Sequence, residues 1–312
     1  MKISLLTDPN CRGWQELLAV CFERKTADMA QLLTFLQPGE RLISYGAWDG
    51  ERLAAQYSCW LTAVHIPQIK RPQPVGMSIN MAVHPDYRGQ GLVKQVAQPV
   101  YGALRERGAV AGVGFSNAEG VKVDRRSKGY GYEVVGRLRP SFFYVPRQAP
   151  TSSPVTLTHD WPRAPFWPEP RTKHIRFAHC PHSLQHRFAG HPFRQYQYGV
   201  LWRDGQVAGV VVYRLVRWGR LTAAALLAVY GDDLPQLLRG WLTAVRQSGE
   251  RWVHLLTTPE AIVKKMLCQT AVRLPQPFTR SPYYLTLKPL TADMPAKMRD
   301  FSQWACLGGD VL

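Results

Sequence analysis

The first 150 residues alternate between two hydrophobic periods, one typical of helices and the other of strands. Apolar residues recur at helical spacing from Gly13 to Leu36, which predicts one or two helices. Two runs of alternating apolar and polar residues then meet at Asp49 and Gly50, a strong turn signal, so they predict a hairpin. The later elements predicted are, in order, the strand "VGMSINMAV", a helix from about Gly91 to Arg107, the short buried strand "VAGVGFS", a helical segment from about Ala118 to Arg126 and the hairpin "YEVVGRLRPSFFYV".

This order of elements predicts a mixed α/β layer, and a similar order returns in the second half. Residues 148–175 are dense in Pro, Ser and Thr and indicate a linker or a long loop. Beyond them comes a hairpin turned at Asp204 and Gly205, followed by the segments "RLTAAALLAVY" (strand), "LPQLLRGWLTAVRQSG" (helix), "RWVHLLTT" (strand), "PEAIVKKMLC" (helix) and "SPYYLTLKPL" (strand). We therefore predict an α/β protein with two tandem copies of one fold, at 1–147 and 176–290, and a tail at 291–312.

Composition narrows the class of protein. The chain has 312 residues and no run near the roughly 18 to 20 apolar residues that a membrane helix needs. The apolar core of its first ten residues is too short for a signal peptide, so we predict a cytoplasmic protein without a membrane partner. The six cysteines are scattered singly, which indicates neither a disulfide framework nor a zinc ribbon. The sequence does not indicate the oligomeric state.

The formal net charge of +17 is the strongest bulk signal. Such a field attracts polyanions and steers anionic ligands. It does not choose among nucleic acid, an anionic cofactor and an anionic substrate. The short basic clusters "DRRSKG", "GRLRP" and "YRLVRWGR" fit a solvated surface as well as a binding surface.

One stretch, "AVHPDYRGQGLVKQV" from Ala82 to Val96, carries a more specific signal. It places Gly89 and Gly91 between the end of a predicted strand and the start of a predicted helix. The first amides of a helix lack partners within the helix, and glycines leave room for an anion to reach them. No "GKS" or "GKT" of a Walker loop is present, and two glycines do not make a Rossmann GxGxxG. The stretch predicts a diphosphate site, with an ordinary loop as the alternative.

The run from Val75 to Val96 resembles the coenzyme A-binding motif of the GCN5-related N-acetyltransferases (GNAT). The family pattern is Arg or Gln, two residues, Gly, one residue, then Gly or Ala. Arg88 and Gly91 match this pattern, whereas Val93 stands where the last small residue is expected. The element order of the first half also agrees with the family. The second copy lacks a glycine-rich loop between its third strand and its helix, and the two carboxylates of the segment "YGDDLP" that stands there would repel a phosphate. The resemblance implies a tandem-domain member with acetyl-CoA as co-substrate and no metal.

The resemblance also implies which residues bind coenzyme A. The pyrophosphate would lie on the backbone of six consecutive residues, namely Arg88, Gly89, Gln90, Gly91, Leu92 and Val93. The pantetheine arm would pair with the strand that ends in Met81, Ala82 and Val83, and an amide of that strand would donate to the thioester oxygen. Asn117 matches a position that lies near the pantetheine in the family, although it would equally cap the following helix.

The proton donor of the family is less well matched. Many relatives carry a Tyr four residues before a Gly-aromatic pair, where it protonates the leaving thiolate. If "GYGYEVVG" is aligned by Gly131 and Tyr132, Ser127 occupies that position. Tyr130 and Tyr132 lie nearby in sequence, where packing is the alternative role. A thiolate with a pKa near 8.5 also leaves without an acid.

The attacking amine must lose a proton, so a base or a chain of water molecules is needed. His84 is a candidate to order the loop rather than to act as this base. Ser78 and Asn80 alternate with apolar residues along the predicted strand, so a water molecule held between them would relay the proton. The candidate catalytic residues are therefore Asn80, Ser127 and Tyr130.

Two features of the second half have several interpretations. "HRFAGHPFRQY" and the chain end "QWACLGGDVL" resemble features of large tandem-domain members, including enzymes acting on amino sugars. Asp310 would then act as a base or substrate ligand, with a frayed tail as the alternative. His179, Cys180, His182 and His186 lie close together in sequence, but Pro181 precludes one regular helix through all four. We prefer a basic surface to a metal site there.

The sequence favours an N-acyltransferase that moves an acetyl group from coenzyme A to a primary amine of a small or sugar-like acceptor within a ternary complex. Two alternatives remain open. One is a basic nucleic-acid-binding protein, including a tRNA-linked transfer like that of Fem-type ligases. The other is a non-catalytic acyl-CoA-binding regulator. No pattern in the sequence identifies the acceptor or the length of the acyl chain.

Overall fold

The computed structural model describes residues 1–37, 41–124, 129–146, 153–163, 173–179, 181–219, 221–258, 263–264, 267–268, 271–273 and 283–310. The chain forms two compact units. Unit 1 comprises Met1–Arg137 and Tyr283–Asp300, and unit 2 comprises Leu138–Pro282 and Phe301–Leu312.

The main elements of unit 1 are four helices and six strands: β1 (Lys2–Leu5), α1 (Arg12–Phe22), α2 (Thr26–Leu36), β2 (Leu42–Asp49), β3 (Arg52–His65), β4 (Gln73–Val83), α3 (Leu92–Glu106), β5 (Ala111–Ser116), α4 (Ala118–Asp124) and β14 (Tyr283–Pro289). Strand β6 (Glu133–Tyr144) begins in this unit and continues into unit 2. The sheet has the order β1-β2-β3-β4-β5-β14, in which only β4 and β5 are parallel.

Two hydrophobic clusters hold the helices of unit 1 to this sheet. Helices α1 and α2 bury Trp14 and Leu33 in a cluster that includes Ala82 of β4. Helix α3 buries Val100 in a second cluster that reaches Val83. Because the side chains of neighbouring strand residues point to opposite faces, Ala82 and Val83 show that the two sets of helices cover opposite faces.

Strand β4 is irregular at the point where it approaches the diphosphate loop. Its register with β3 shifts between the Ser58–Ile79 and Gln56–Ala82 pairs, and Asn80 adopts a left-handed φ of 46°. This conformation is uncommon outside glycine but is tolerated by Asn. The parallel pairs between β4 and β5 run from Val75 to Met77 and stop before this bulge. The end of β4 therefore diverges from the regular ladder.

The main elements of unit 2 are β7 (Val155–Thr158), β8 (Arg176–Phe177), α5 (Pro181–Ala189), β9 (Gln197–Arg203), β10 (Gln206–Trp218), β11 (Leu221–Gly231), α6 (Leu234–Gln247), β12 (Trp252–Thr257) and β13 (Val272–Arg273). Its sheet has the order β6-β12-β11-β10-β9-β7, in which only β11 and β12 are parallel. The adjacent residues Val211 and Val212 belong to two different clusters, one with α6 and one with α5, so these helices cover opposite faces.

The two units repeat one topology. In each, a hairpin leads to a third antiparallel strand, a helix, and a strand parallel to the third. The turns at Asp49–Gly50 and Asp204–Gly205 form as predicted, with Gly50 and Gly205 at φ values of 57° and 73°. The prediction of a mixed α/β fold with two tandem copies is confirmed.

The boundaries of the units differ from those in the sequence-based prediction. Strand β14 lies within the predicted second domain, 176–290, yet it pairs with β5 in unit 1. Residues 155–158, which fall in the predicted linker 148–175, form β7 at the edge of the second sheet. Both differences arise from pairing between residues far apart in sequence, which a local hydrophobic pattern does not encode. Of the predicted helix 259–268, only residues 263–264 and 267–268 are described.

No helix among the described residues is both long and apolar enough to cross a membrane. The described cysteines, Cys11, Cys21, Cys59, Cys268 and Cys306, are free thiols.

Candidate active site

The glycine loop, residues 88–93, joins β4 to α3 through a short 3-10 turn at Pro85–Tyr87. Gly89 and Gly91 have φ values of 82° and 75°, which glycine adopts without the strain of a side chain. Gly91 is the N-terminal cap of α3, and no side chain caps this helix. The first turn of α3 contains no acidic residue. The first amides of α3 are therefore available to an anion outside the helix.

Side chains before the glycine loop fix its path. His84 caps the 3-10 turn, where its Nδ1 accepts a hydrogen bond from the Asp86 amide. The Arg52 guanidinium lies 2.9 Å from the His84 ring and 3.0 Å from the Asp86 carboxylate. The Tyr87 hydroxyl donates to Asp49 at 2.8 Å. His84 is thus engaged in ordering the loop.

A cavity of about 340 Å³ lies against the glycine loop and the end of β4. Its lining includes eight of the residues expected to bind coenzyme A, namely Met81, Ala82, Val83, Arg88, Gly89, Gly91, Leu92 and Val93. Gln90 is exposed and does not line it. Asn117 does not line it either. Its Oδ1 accepts a hydrogen bond from the Gly120 amide at 2.8 Å at the start of α4. This hydrogen bond is the one expected if Asn117 caps α4.

The same cavity is lined by residues that the sequence pattern did not single out. Cys21 and Phe22 come from the end of α1, while Val123 and Gly129 come from the segment around α4. The Cys21 thiol donates to the Val83 carbonyl oxygen at 3.3 Å. Burial raises the pKa of Cys21, and the positive charge of Arg88 partly opposes this rise. The hydrophobic period of α1 predicts which face of the helix packs in the core. It does not predict that the C-terminal end of the helix lines a cavity.

A buried group of hydroxyls lies beside the bulge of β4. The Tyr57 hydroxyl donates to Ser78 Oγ at 2.9 Å and lies 3.1 Å from the Tyr132 hydroxyl. The Cys59 thiol donates to Tyr57 at 3.4 Å. Burial raises the pKa of Tyr57 and of Tyr132 well above the usual value, and it raises that of Cys59 to about 12. These groups are protonated at neutral pH, so they donate hydrogen bonds and do not act as anionic bases.

The three candidate catalytic residues lie in different settings. Asn80 is half-buried at the bulge of β4. Tyr130 is only 6% exposed and packs in the core with Tyr57 and Tyr132, at ring distances of 5.5 and 5.3 Å. Tyr130 is not among the residues that line the cavity, so the structure assigns it to packing. Ser127 lies outside the described residues.

The described segment between β11 and α6 of unit 2 has no counterpart of the glycine loop. Its equivalent helix, α6, is capped by Asp233, whose carboxylate accepts a hydrogen bond from the Gln236 amide at 3.0 Å. A carboxylate in this position occupies the site that an external anion would take. The cap agrees with the expectation that the carboxylates of "YGDDLP" disfavour a phosphate at this helix.

The histidine-rich segment of unit 2 contacts Asp310 through one residue, His179. His179 Nε2 lies 3.2 Å from the Asp310 carboxylate, which also accepts a hydrogen bond from the Leu307 amide at 2.8 Å. Among the described residues there is no group of three His, Cys, Asp or Glu placed to hold a metal, and Cys180 lies outside them. Asp310 is therefore anchored rather than frayed.

The chain was compared with models of protein families, with curated protein sequences and with solved structures. A family model described as "Acetyltransferase (GNAT) domain" matches residues 2–135. No curated protein sequence matches the chain. Among solved structures, a conserved protein of unknown function from Enterococcus faecalis V583, called a probable N-acyltransferase, is similar with a TM-score of 0.70 and 12% identity, over 94% of this chain and 73% of that chain.

A second similar structure is a GCN5-related N-acetyltransferase from Anabaena variabilis ATCC 29413. Its TM-score is 0.65 at 12% identity, over 93% of this chain and 73% of that chain. At this identity the two structures support the fold, which they share over nearly the whole length of this chain.

Proposed function

Residues 2–135 are an acetyltransferase domain of the GNAT family, and from this premise we propose that the protein moves an acetyl group from coenzyme A to a primary amine. Acetyl-CoA supplies the thioester. The acceptor would be a small or sugar-like amine, and transfer would be direct, within a ternary complex. The location in the cytoplasm remains a prediction from the sequence.

The observation that carries this proposal is the uncapped start of α3 at the wall of the cavity. Gly91 offers no capping side chain there, and the left-handed Gly89 leaves open space where a side chain would be. A pyrophosphate on these amides would replace the missing cap and interact favourably with the helix dipole. The contrast with Asp233, which caps α6 in unit 2, supports a specific role for the uncapped start.

The bulge in β4 supports a place for the pantetheine arm. Because the parallel pairing with β5 stops at Met77, the later backbone groups of β4 are free of that ladder. An extended arm would pair with them as an additional strand does. Met81 and Val83 line the cavity and would contact the arm. A β4 amide in this segment would donate to the thioester oxygen as negative charge develops on it.

Proton transfer is proposed to use water rather than a dedicated side-chain base. His84 is bound to the loop, and the buried hydroxyls of Tyr57 and Tyr132 remain protonated. Ser78 is half-buried next to the bulge and takes its hydrogen bond from Tyr57. A water molecule between Ser78 and Asn80 would take the proton of the amine and pass it to solvent.

Calorimetric titration with acetyl-CoA tests the proposal. We expect micromolar affinity in the wild type and loss of at least about tenfold, or about 1.4 kcal/mol, in the Gly89→Asp/Gly91→Asp double variant, since two carboxylates would face the pyrophosphate. The matched control is Gly108→Asp/Gly205→Asp, which changes two glycines of similar φ, 76° and 73°, in open surroundings.

Unchanged affinity in the Gly89→Asp/Gly91→Asp variant would contradict the proposed site. Equal losses in both double variants would also contradict it, because charge alone would then explain the effect. Binding without acetyl transfer to a broad panel of amines that begins with amino sugars would favour a non-catalytic acyl-CoA-binding regulator.

A further inference from the structure

A chain of hydroxyl groups in unit 1 ends at the bulge of β4. The Tyr132 and Tyr57 oxygens are 3.1 Å apart, and the Tyr57 and Ser78 oxygens are 2.9 Å apart. Both tyrosines are buried, whereas Ser78 is half-buried. The direction of the hydrogen bonds along this chain decides whether Ser78 offers a proton or only a lone pair to a ligand.

A count of protons and lone pairs fixes this direction. Tyr57 has one proton, so it donates either to Ser78 or to Tyr132. If it donates to Ser78, its two lone pairs accept from Tyr132 and from the Cys59 thiol, and every buried proton of the group has an acceptor. If it donates to Tyr132, the partner left for the Tyr132 proton within the described part of the chain is the Cys59 sulfur, a weak acceptor. The first arrangement is favoured, because a buried donor without a good acceptor is costly.

In this arrangement Ser78 accepts from Tyr57 and keeps its own proton for a further partner. Among the described residues, no second hydrogen-bond partner of Ser78 is found. Its neighbour on β5, after the last parallel pair of Met77 and Val113, is Gly114, which has no side chain to cover the hydroxyl. Ser78 is therefore a hydrogen-bond donor whose acceptor is solvent or a ligand.

The bulge brings Ser78 next to the cavity residues on one face of β4. Because the bulge inserts one residue at Asn80, Ser78 is followed on that face by Met81 and then by Val83. Met81 and Val83 line the cavity. A pantetheine arm that pairs with β4 from Val83 towards the bulge brings its thioester end to Ser78. A role of Ser78 in the reaction thus rests on the proposed function.

We propose that Ser78 donates a hydrogen bond to the sulfur of coenzyme A as the thioester is cleaved, and that Tyr57 and Tyr132 are positioning residues that orient its proton. As the amine nitrogen bonds to the acetyl carbon, the carbon–sulfur bond breaks and its electron pair moves to sulfur. The hydrogen bond stabilises the thiolate that forms. The amine proton leaves through the water molecule, which donates to the second lone pair of Ser78.

The Ser78 proton stays on oxygen throughout. Its transfer to sulfur would have to be balanced by a proton from Tyr57 and then by one from Tyr132, which would leave a buried phenolate. Burial raises the pKa of both tyrosines well above the usual value, so this phenolate is disfavoured. The coenzyme A thiolate therefore leaves as an anion and takes its proton from solvent.

The test compares coenzyme A, which has a free thiol, with S-methyl-coenzyme A, a thioether that does not ionise. Calorimetry measures both affinities at about pH 7 and about pH 9.5, on either side of the usual pKa of a thiol, near 8.5. All proteins carry Cys21→Ala, so the second thiol at the cavity does not contribute. Tyr57, Tyr132 and Cys59 stay protonated over this range, because burial raises their pKa values.

We expect the affinity for coenzyme A, relative to that for the thioether, to rise about tenfold between the two pH values, the usual size for a hydrogen bond to a charged group. Ser78→Ala should abolish this rise. Tyr57→Phe should reduce it, because Ser78 loses the donor that orients it. The matched control is Tyr101→Phe, which removes a buried hydroxyl of the same hydrophobic cluster whose partner is the Tyr130 carbonyl oxygen at 2.6 Å, and it should retain the rise.

Circular dichroism and the affinity for the thioether show whether each variant folds and binds. If Ser78→Ala does not fold, the comparison of Tyr57→Phe with Tyr101→Phe decides. A full rise in Ser78→Ala, equal rises in the Tyr57 and Tyr101 variants, or no rise before these substitutions would overturn the role of Ser78. If neither ligand binds even the wild type, the proposed acetyl-CoA site fails as well. Binding of both ligands without the pH-dependent difference removes only the role of Ser78.

Discussion

Tyr57 and Ser78 are joined by a hydrogen bond of 2.9 Å between β3 and β4, just before the bulge at Asn80. The Tyr57 ring is completely buried. The same hydroxyl also contacts Tyr132 and Cys59. The buried Tyr57 oxygen therefore links three side chains next to the point where β4 separates from β5.

Replacing Tyr57 by Phe should lower the free energy of unfolding by about 1 to 3 kcal/mol, because buried partners lose their hydrogen bond. The exposed pair of Tyr87 and Asp49 provides the control, since Tyr87→Phe removes a hydrogen bond of similar length, 2.8 Å, at the surface. Urea denaturation of both variants measures the difference. Equal losses would mean that burial of the Tyr57 group adds nothing to stability.

The cap of α6 should contribute measurably to the stability of unit 2. Asp233→Ala removes the carboxylate that accepts from the Gln236 amide, so we expect a loss of about 1 kcal/mol. Asp232→Ala removes an exposed neighbour of the same charge that does not cap the helix. If the two variants have the same urea midpoint, the loss of stability comes from the removal of a negative charge and not from the loss of the cap.

Stability should depend on His254 at acidic pH. The unfolded chain binds a proton there with a pKa of about 6.5, and the folded chain only near 4, because burial disfavours the charged ring. Unfolding therefore takes up a proton between these values, so stability is fully present above about pH 6.5 and falls as the pH drops towards 4, by up to about 3 kcal/mol. His254→Gln should remove this part of the pH dependence. Parallel curves for wild type and variant would show that His254 titrates normally.

A pair of glycines tests the packing of α3 against β4. A side chain at Gly76 would meet Leu104, so Gly76→Ala should destabilise the protein by about 1 to 3 kcal/mol through overpacking. Gly102 lies inside α3, and a Cβ atom added there would meet no other atom within 4 Å. Gly102→Ala should therefore stabilise the protein by about 0.5 to 1 kcal/mol, because Ala has the higher helix propensity. Calorimetric unfolding of both variants should give shifts of opposite sign. Shifts of the same sign would contradict this account of the interface.

Cys21 offers a direct test of which cavity acetyl-CoA occupies. It lines the cavity beside Arg88, whereas Cys268 is exposed elsewhere. Acetyl-CoA should slow alkylation of Cys21 by N-ethylmaleimide at pH 8 and leave that of Cys268 unchanged, as followed by peptide mass spectrometry. Because burial raises the pKa of Cys21, its reaction is expected to be slow even without ligand. Unchanged labelling of Cys21 at saturating acetyl-CoA would place the ligand elsewhere.

Local features of the fold and the site could be predicted from the sequence. The turns at Asp49–Gly50 and Asp204–Gly205, the glycine loop and the start of α3 depend on a few neighbouring residues whose backbone preferences are strong. The same local reasoning identified the carboxylates of "YGDDLP" as incompatible with an anion, and Asp233 does cap α6.

Features that depend on distant contacts could not be predicted in this way. Cys21 and Phe22 line the cavity because α1 packs near the end of β4, and their own helical pattern carries no sign of it. The segment before Asp310 is held by Thr257 and Thr258, whose hydroxyls donate to the carbonyl oxygens of Cys306 and Trp304 at 2.8 and 2.6 Å. No pattern within the last ten residues reveals these two acceptors.

The pairing of β5 with β14 sets the order in which unit 1 can be completed during protein synthesis. Gly114 aligns with Thr286, so the edge of β5 stays without this neighbour until the ribosome has made β14, about 170 residues after β5. An unpaired strand edge favours association with other chains. Nascent chains that stall before Tyr283 should therefore be the ones that need a chaperone, even though the glycine loop has long been made.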